Sequence, residues 1–337
     1  MESQRCASVA HEMGLAPLGT AGHHRGFLLV DWPLPWPADL GDVAELAALK
    51  AALKGTGVRL QGVVPAPGDD RRVVLYHHPS GSGFAGYQRV EWRAPADGVV
   101  EAAVALLADT LPDARVPAGV GAGVDGAVGG PAGGAATSPT PGRPGAGDPA
   151  GGGGTAPHGD LLVCAHGRRD VCCGSSGTVL AVGLMADPGV AAAGYVVGRT
   201  SHTGGHRFAP TAIVLPEGTM WAFLDAELTA RVVRRHGPVS DLLDHYRGST
   251  AIGSPEVQAV ERVAFAEVGW DWPDWRRTGE DLGDGRARVT GVAPDGTRRT
   301  WEAVVTTAGR PVPDCGRPIE EARKTQAEPH VGPVTRT

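Results

Sequence analysis

DLLVCAHGRRDVCCGSSGTVLAVGL, residues 160–184, reads as a strand that empties into a polar loop and resumes as a helix. Leu161 to Ala165 form a short apolar run. Gly167 to Gly177 concentrate charge and glycine, and Thr178 to Leu184 begin a helix. Strand and helix signals mixed in this way point to an α/β (α+β) protein. Three of the five cysteines, Cys164, Cys172 and Cys173, fall inside this one stretch, and that clustering is what the chemistry has to explain.

Working outward, Tyr195 to Val197 make a strand that runs into GRTSHTGGHRFAPTAIVLPEG, residues 198–218, with a further strand at Thr211 to Leu215. Leu224 to His236, Asp241 to Tyr246 and Pro255 to Val268 are helical in pattern. RARVTGV and TWEAVVTT, either side of the turn-prone PDG at Pro294, read as a hairpin, followed by a loose tail from about Cys315. Upstream, GFLLVDWP from Gly26, VRLQGVV from Val58, RRVVLYHH from Arg71 and YQRVEWRA from Tyr87 are strand candidates. Leu40 to Lys54 and Val99 to Ala108 are the helices among them. Between the blocks, Gly119 to Gly159 changes to a Gly/Pro/Ala-rich composition that cannot recover the entropy of ordering. The expected organisation is two-lobed: an N-terminal α/β lobe over 1–118, a flexible insertion over 119–159, a second domain with a C-terminal β extension over 160–318, and a tail over 319–337.

With 31 Lys plus Arg against 37 Asp plus Glu, the net charge of -6 makes no case for a nucleic-acid partner. No run approaches the roughly 18 to 20 apolar residues that span a bilayer. The opening residues, MESQRCASVAHEMG, lack the basic end and apolar stretch of a secretory signal, so the expectation is the cytoplasm. In that reducing compartment an odd set of cysteines, Cys6, Cys164, Cys172, Cys173 and Cys315, points to free thiols, metal ligation or redox chemistry rather than structural disulfides.

Cys164 ends a strand, where a side chain projects from a rigid sheet into a loop-lined site. Cys172 and Cys173, as neighbours on an extended chain, point in opposite directions and do not play equivalent roles in one site. His202-Thr-Gly-Gly-His206 brings two imidazoles together. Gly204 and Gly205 each cost a helix roughly 1 kcal/mol relative to Ala, so a tight loop able to clasp an inorganic group is the better reading. Two thiolates and two imidazoles suit four-coordinate zinc or a mixed-ligand [2Fe-2S] cluster, although the spacing is not that of a zinc finger. Two thiolates leave an oxidised diiron core near neutral, which raises its potential above that of an all-cysteine site. The second nitrogen of a coordinating imidazole allows proton-coupled electron transfer.

CAHGRRDVCCG at Cys164 to Gly174, GRTSHTGGHRFAPT at Gly198 to Thr211, GTAGHHRGFLLVDWPLPWP at Gly19 to Pro37 and CGRP at Cys315 together resemble the sucrase/ferredoxin-like family, which includes thioredoxin-like ferredoxins. The resemblance implies a thioredoxin-like fold in the second block and a [2Fe-2S] cluster bound by Cys164, Cys173, His202 and His206, the histidines on the outer iron. It leaves Cys172 outside the ligand set and supplies no glycoside hydrolysis.

The leading function is then an electron-transfer module with a separate electron-donor reductase and a separate redox acceptor. No dinucleotide fingerprint is present, and no catalytic residue is assigned. Two alternatives are a thioredoxin-like thiol redox enzyme, for which adjacent Cys172 and Cys173 are a poor substitute for C-x-x-C, and a zinc-stabilised interaction protein. Cys6 and Cys315 read as terminal or supporting thiols. His166, two residues after Cys164, reads as a supporting residue, Arg168, Arg169 and Asp170 as residues that hydrogen-bond within the loop or tune the cluster field or else form a solvated charged turn, and the paired His23, His24, His77 and His78 as surface histidines.

Overall fold

A computed structural model describes residues 5–79, 81, 83–111, 114, 157–315 and 318–337. In chain order the first block contains α1 (Cys6–Glu12), β1 (Gly26–Asp31), α2 (Ala44–Ala52), β2 (Val58–Val63), β3 (Asp70–His77), β4 (Gln88–Pro95) and α3 (Val99–Thr110). The second contains β5 (Gly159–Cys164), α4 (Thr178–Met185), α5 (Pro188–Ala192), β6 (Tyr195–Thr200), β7 (Ala212–Leu215), β8 (Thr219–Trp221), α6 (Ala226–Arg234), β9 (Tyr246–Ser249) and α7 (Pro255–Val268). Four strands follow: β10 (Arg276–Gly283), β11 (Arg286–Val292), β12 (Arg298–Pro311) and β13 (Thr325–Arg336). The expected insertion lies almost wholly outside the described residues.

Helices and mixed sheets make this an α/β protein, as the residue patterns predict. The two blocks share one nine-stranded sheet, ordered β4-β3-β1-β2-β6-β5-β7-β8-β9. Within it the first block and β5 to β8 have the same layout. β1 pairs parallel with β2 and antiparallel with β3, which pairs with β4. Likewise β5 pairs parallel with β6 and antiparallel with β7, which pairs with β8. β1 and β5 are buried along their whole length, which is why GFLLVD and GDLLVC read as continuous runs rather than alternating ones.

The halves meet where β2 and β6 end, at the antiparallel pair Val63↔Thr200. Flanking bonds from Val64 N–H to the Arg199 carbonyl (2.9 Å) and from Ser201 N–H to the Gly62 carbonyl (2.8 Å) fasten the seam. On one face of the sheet Phe27, Leu29 and Val74 from the first half and Leu162, Ile213 and Met220 from the second form one apolar cluster. The carboxyl ends of β2, β5 and β6 therefore lie side by side, the place where an open α/β sheet exposes a crevice.

β10 to β13 form a separate antiparallel sheet in sequential order. α7, capped by the Ser254 side chain and with Pro255 in its first turn, packs against it. Trp272, Trp301 and Phe265 fill the interface, and the buried Arg277–Glu261 ion pair (3.2 Å) lies within it.

Three expectations need correction. The loop expected over Gly167 to Gly177 is helical from Val171 onward, because the Asp170 carboxylate accepts the N–H groups of Cys172 (2.9 Å) and Cys173 (3.2 Å) and so caps a helix there. The helix expected over Asp241 to Tyr246 is a single 3₁₀ turn, Val239–Leu242, after which Tyr246 starts β9. The loose tail expected after Cys315 instead contains β13, which pairs with β12 from Trp301↔Arg336 to Pro311↔Thr325. A polar strand on an outer edge has little periodicity of its own. Its partner supplies the order.

Candidate metal centre

Cys164 ends β5 and is fully buried. The chain then turns through His166 and Gly167, is capped by Asp170, and passes Cys172 and Cys173 into a π-helical turn at Cys173–Gly177. Gly177 has to be glycine here, since a Cβ on it would lie 1.9 Å from the Cys164 carbonyl oxygen. This close approach brings Cys173 back beside Cys164. The Cys173 thiol hydrogen-bonds to the Cys164 sulfur, which with the His202 imidazole alongside holds Cys164 well below the usual thiol range. The same shared proton, with burial, pushes Cys173 upward.

The second loop leaves β6 at Thr200. His202 is clamped through its backbone, its N–H donating to His166 Nδ1 (3.1 Å) and its carbonyl accepting from Arg59. Because His166 Nδ1 accepts, its proton sits on Nε2 and is donated to the Pro37 carbonyl (2.7 Å). Burial keeps His166 neutral by lowering its pKa. His166 is thus a positioning residue, as its spacing from Cys164 suggested. Among the described residues, the buried Nδ1 of the His202 ring has no hydrogen-bond partner, which in a native interior calls for a partner such as a metal.

Gly204 and Gly205 both have positive φ, +87° and +72°, and a Cβ on Gly205 would come within 2.5 Å of the Arg247 guanidinium. Arg247, on β9, reaches under this turn. It donates to the Gly204 carbonyl (3.1 Å), the Thr20 carbonyl (2.6 Å) and Thr20 Oγ1 (2.9 Å). It is 1% exposed, and among the described residues no carboxylate pairs with it. Burial lowers its pKa to about 10, and the nearby Cys164 and Cys173 sulfurs oppose that fall. A buried guanidinium without a carboxylate is costly unless another anion is near. Here the neighbouring anion is the Cys164 sulfur.

His206 begins a 3₁₀ turn and is oriented by Asp170, its Nδ1 lying 2.5 Å from Asp170 Oδ2. Burial acts to raise the Asp170 pKa, but the His206 contact and the two N–H donors hold it below the usual carboxylate range. With Nδ1–H given to Asp170, Nε2 is the nitrogen left for a metal. A carboxylate–histidine pair is the common support of a metal-binding imidazole. Cys6 Sγ lies 3.4 Å from the same Nδ1.

The structure also assembles a second group of thiols that the spacing along the chain did not reveal. The Cys6, Cys172 and Cys315 sulfurs lie 3.6, 3.5 and 3.2 Å apart, pairwise for Cys6–Cys172, Cys172–Cys315 and Cys315–Cys6. Among the described residues, the convergent sets of three or more possible ligand atoms are Cys6/Cys172/Cys315 and Cys6/Asp170/His206. The four residues predicted from the sequence divide differently. Cys164 touches Cys173 and the His202 ring, whereas His206 faces Asp170 and Cys6. The four do not close on a single point, as one zinc ion would need. A two-iron cluster, with each iron taking a pair of ligands, does not need it.

A cleft of about 780 Å³ opens beside His202, lined by Arg59, His166, Lys50 and Lys54 among others. No helix is long and apolar enough to cross a membrane among the described residues. Searches of curated proteins and of solved structures give no match. The sucrase/ferredoxin-like family model matches residues 17–248, a span that holds the nine-stranded sheet except the last residue of β9, both ligand loops and Arg247. The chain belongs to the sucrase/ferredoxin-like family.

Proposed function

We propose that this protein binds a [2Fe-2S] cluster through Cys164, Cys173, His202 and His206 and works as a one-electron carrier between a separate reductase and a separate acceptor, in the cytoplasm. The observation that carries the reading is a sulfur pair and a buried imidazole nitrogen, His202 Nδ1, set beside a buried arginine, the nitrogen without a hydrogen-bond partner and the arginine without a carboxylate among the described residues. The donor set therefore fits a group that takes two thiolates and two imidazoles and gains negative charge. The repeated strand order supports a thioredoxin-like scaffold for it.

When bound, the cluster supplies one-electron chemistry. The chain's own residues do the rest. Cys173 and Cys164 give up the proton they share, so binding is favoured as pH rises. Arg247 stabilises added negative charge and so raises the affinity for an electron. Asp170 holds the proton on His206 Nδ1, and His166 holds the backbone of His202. The Arg59-lined cleft gives the His202 side of the site a cationic face toward an acidic partner.

Anaerobic purification, iron and sulfide analysis, and electron paramagnetic resonance of the reduced protein test this reading. About two irons and two sulfides per chain are expected. Separate Cys164→Ser, Cys173→Ser, His202→Ala and His206→Ala variants should lose or shift the resonance, and one left unchanged removes that residue from the set. A reduction potential that does not vary between about pH 6 and 10 would refute proton coupling.

A further inference from the structure

The thiols of Cys6, Cys172 and Cys315 belong to none of the roles above. They come from α1, from the capped turn after β5 and from the segment following β12, stretches separated by 143 to 309 residues along the chain. Cys6 and Cys172 are buried, and Cys315 closes the group on the solvent side. Built interactions bring the distant ends here. Arg207 donates to the Pro313 carbonyl (3.1 Å) and pairs with Asp314 (3.3 Å), while Arg310 donates to the Met13 carbonyl (2.8 Å).

We infer that Cys6, Cys172 and Cys315 form a second metal site, a three-thiolate site for zinc, distinct from the cluster ligands and resting on no part of the cluster reading. A Zn–S bond of about 2.3 Å sets tetrahedral S···S edges of about 3.8 Å, close to the three separations here and far from a disulfide bond of ~2.05 Å. The number of sulfurs also argues against a disulfide, which would join two and strand the third.

The surroundings fit thiolates. Two of the three sulfurs face a backbone N–H group: that of Cys6 at 3.5 Å from Cys315, and that of Ala7 beside Cys172. Backbone N–H donors to sulfur stabilise metal-bound thiolate, and neutral thiols have little need of them. On binding, zinc replaces the thiol protons, which leave to solvent, and three sulfurs on a divalent ion give the site one net negative charge. A cavity of about 340 Å³ lined by Arg5, His11 and Cys172 provides an entry path. The fourth zinc position is left to a water molecule or other small ligand. Cys6 and Cys315 lie outside residues 17–248, the span matched by the family model, and the site would tie both to the ligand loop.

The test uses the full chain, purified anaerobically, with zinc measured by elemental analysis. Cobalt(II) then serves as the probe, titrated against a competing chelator. Expected are about one zinc per chain and, with cobalt, thiolate-to-metal charge transfer with the intense visible bands of a tetrahedral site. Cys315→Ser, at the surface and therefore safe for folding, should weaken cobalt binding at least tenfold, and Cys6→Ser likewise. Cys164→Ser should lose iron and sulfide while keeping zinc. Loss of iron and sulfide from the wild type with cobalt binding intact would defeat the cluster reading and leave this one standing. Wild-type protein without thiolate–cobalt bands, bands unchanged in Cys315→Ser, iron in place of zinc, or a disulfide among the three thiols in the anaerobic protein would each overturn it.

Discussion

The two halves of the nine-stranded sheet share a layout and differ in what they do at the corresponding strand end. β1 ends in Asp31 and β5 ends in Cys164, each the last residue of a buried six-residue strand paired parallel to its neighbour. Asp31 is satisfied inside its own half, accepting the Arg72 N–H (3.0 Å) with the Arg72 guanidinium 3.8 Å away. The residues around Cys164 are instead held from the far side of the seam. Arg59 on β2 holds His202, and the Pro37 carbonyl holds His166. A common scaffold thus provides a site only where the loops after its strands supply ligands and where the other half supplies the wall. Fold and function separate at that point.

The sharpest test of this contrast replaces the two strand-end residues in parallel. Cys164→Ser should abolish iron and sulfide binding, whereas Asp31→Asn should retain both and lower folding stability by about 1–3 kcal/mol, as a weakened buried hydrogen bond would. Iron analysis and denaturant titration read the two effects. Loss of iron in Asp31→Asn would mean that the first half does more than form a wall.

Next in size is the carboxylate that supports His206. Asp170→Asn removes the charge facing Nδ1 and should cost about 10- to 100-fold in metal affinity with little change in overall structure, measured by chelator competition. The low Asp170 pKa also has a definite sign. Its contribution is present above the unfolded-state value and is lost as pH falls through the lower folded one, so wild type should lose stability in that acidic range more than the variant does.

Gly205→Ala probes the turn of the second half that carries the two histidines. An alanine at φ +72°, with its Cβ pressed on Arg247, should cost roughly 1–2 kcal/mol for the backbone and displace the guanidinium. Thermal melting reads the first effect. A lower reduction potential reads the second.

The last test belongs to the first half. Burial lowers the His24 pKa from 6.5 to about 4, so the folded chain keeps it neutral while the unfolded chain takes up a proton. Stability should therefore be full above pH 6.5 and fall as pH drops toward 4, and His24→Gln should flatten that slope without changing iron content. Melting temperature against pH checks it.

Much of this was legible along the chain. Continuous apolar runs marked β1 and β5, and Pro255 to Val268 was read with the bounds of α7. The proximity of Cys164 to Cys173 and to His202 follows the two motifs. Three elements were missed for different reasons. α1 is seven residues of weak pattern, and β8 and β13 owe their order to partners. His24, expected at the surface, is half-buried and packs edge-on against Phe27. Arg247 gave no signal at all, since a buried arginine looks like any other in a sequence.

Local composition alone determined the α/β class, the strand-loop-helix around Cys164 and the supply of two thiol and two imidazole candidates, because apolar period and glycine placement act over a few residues. Tertiary structure decided which groups meet. The seam between β2 and β6, the reach of Arg247 beneath Gly204 and Gly205, and the gathering of Cys6 with Cys172 and Cys315 all join residues tens to hundreds apart. Such contacts arise from sheet pairing and burial, which no local pattern encodes.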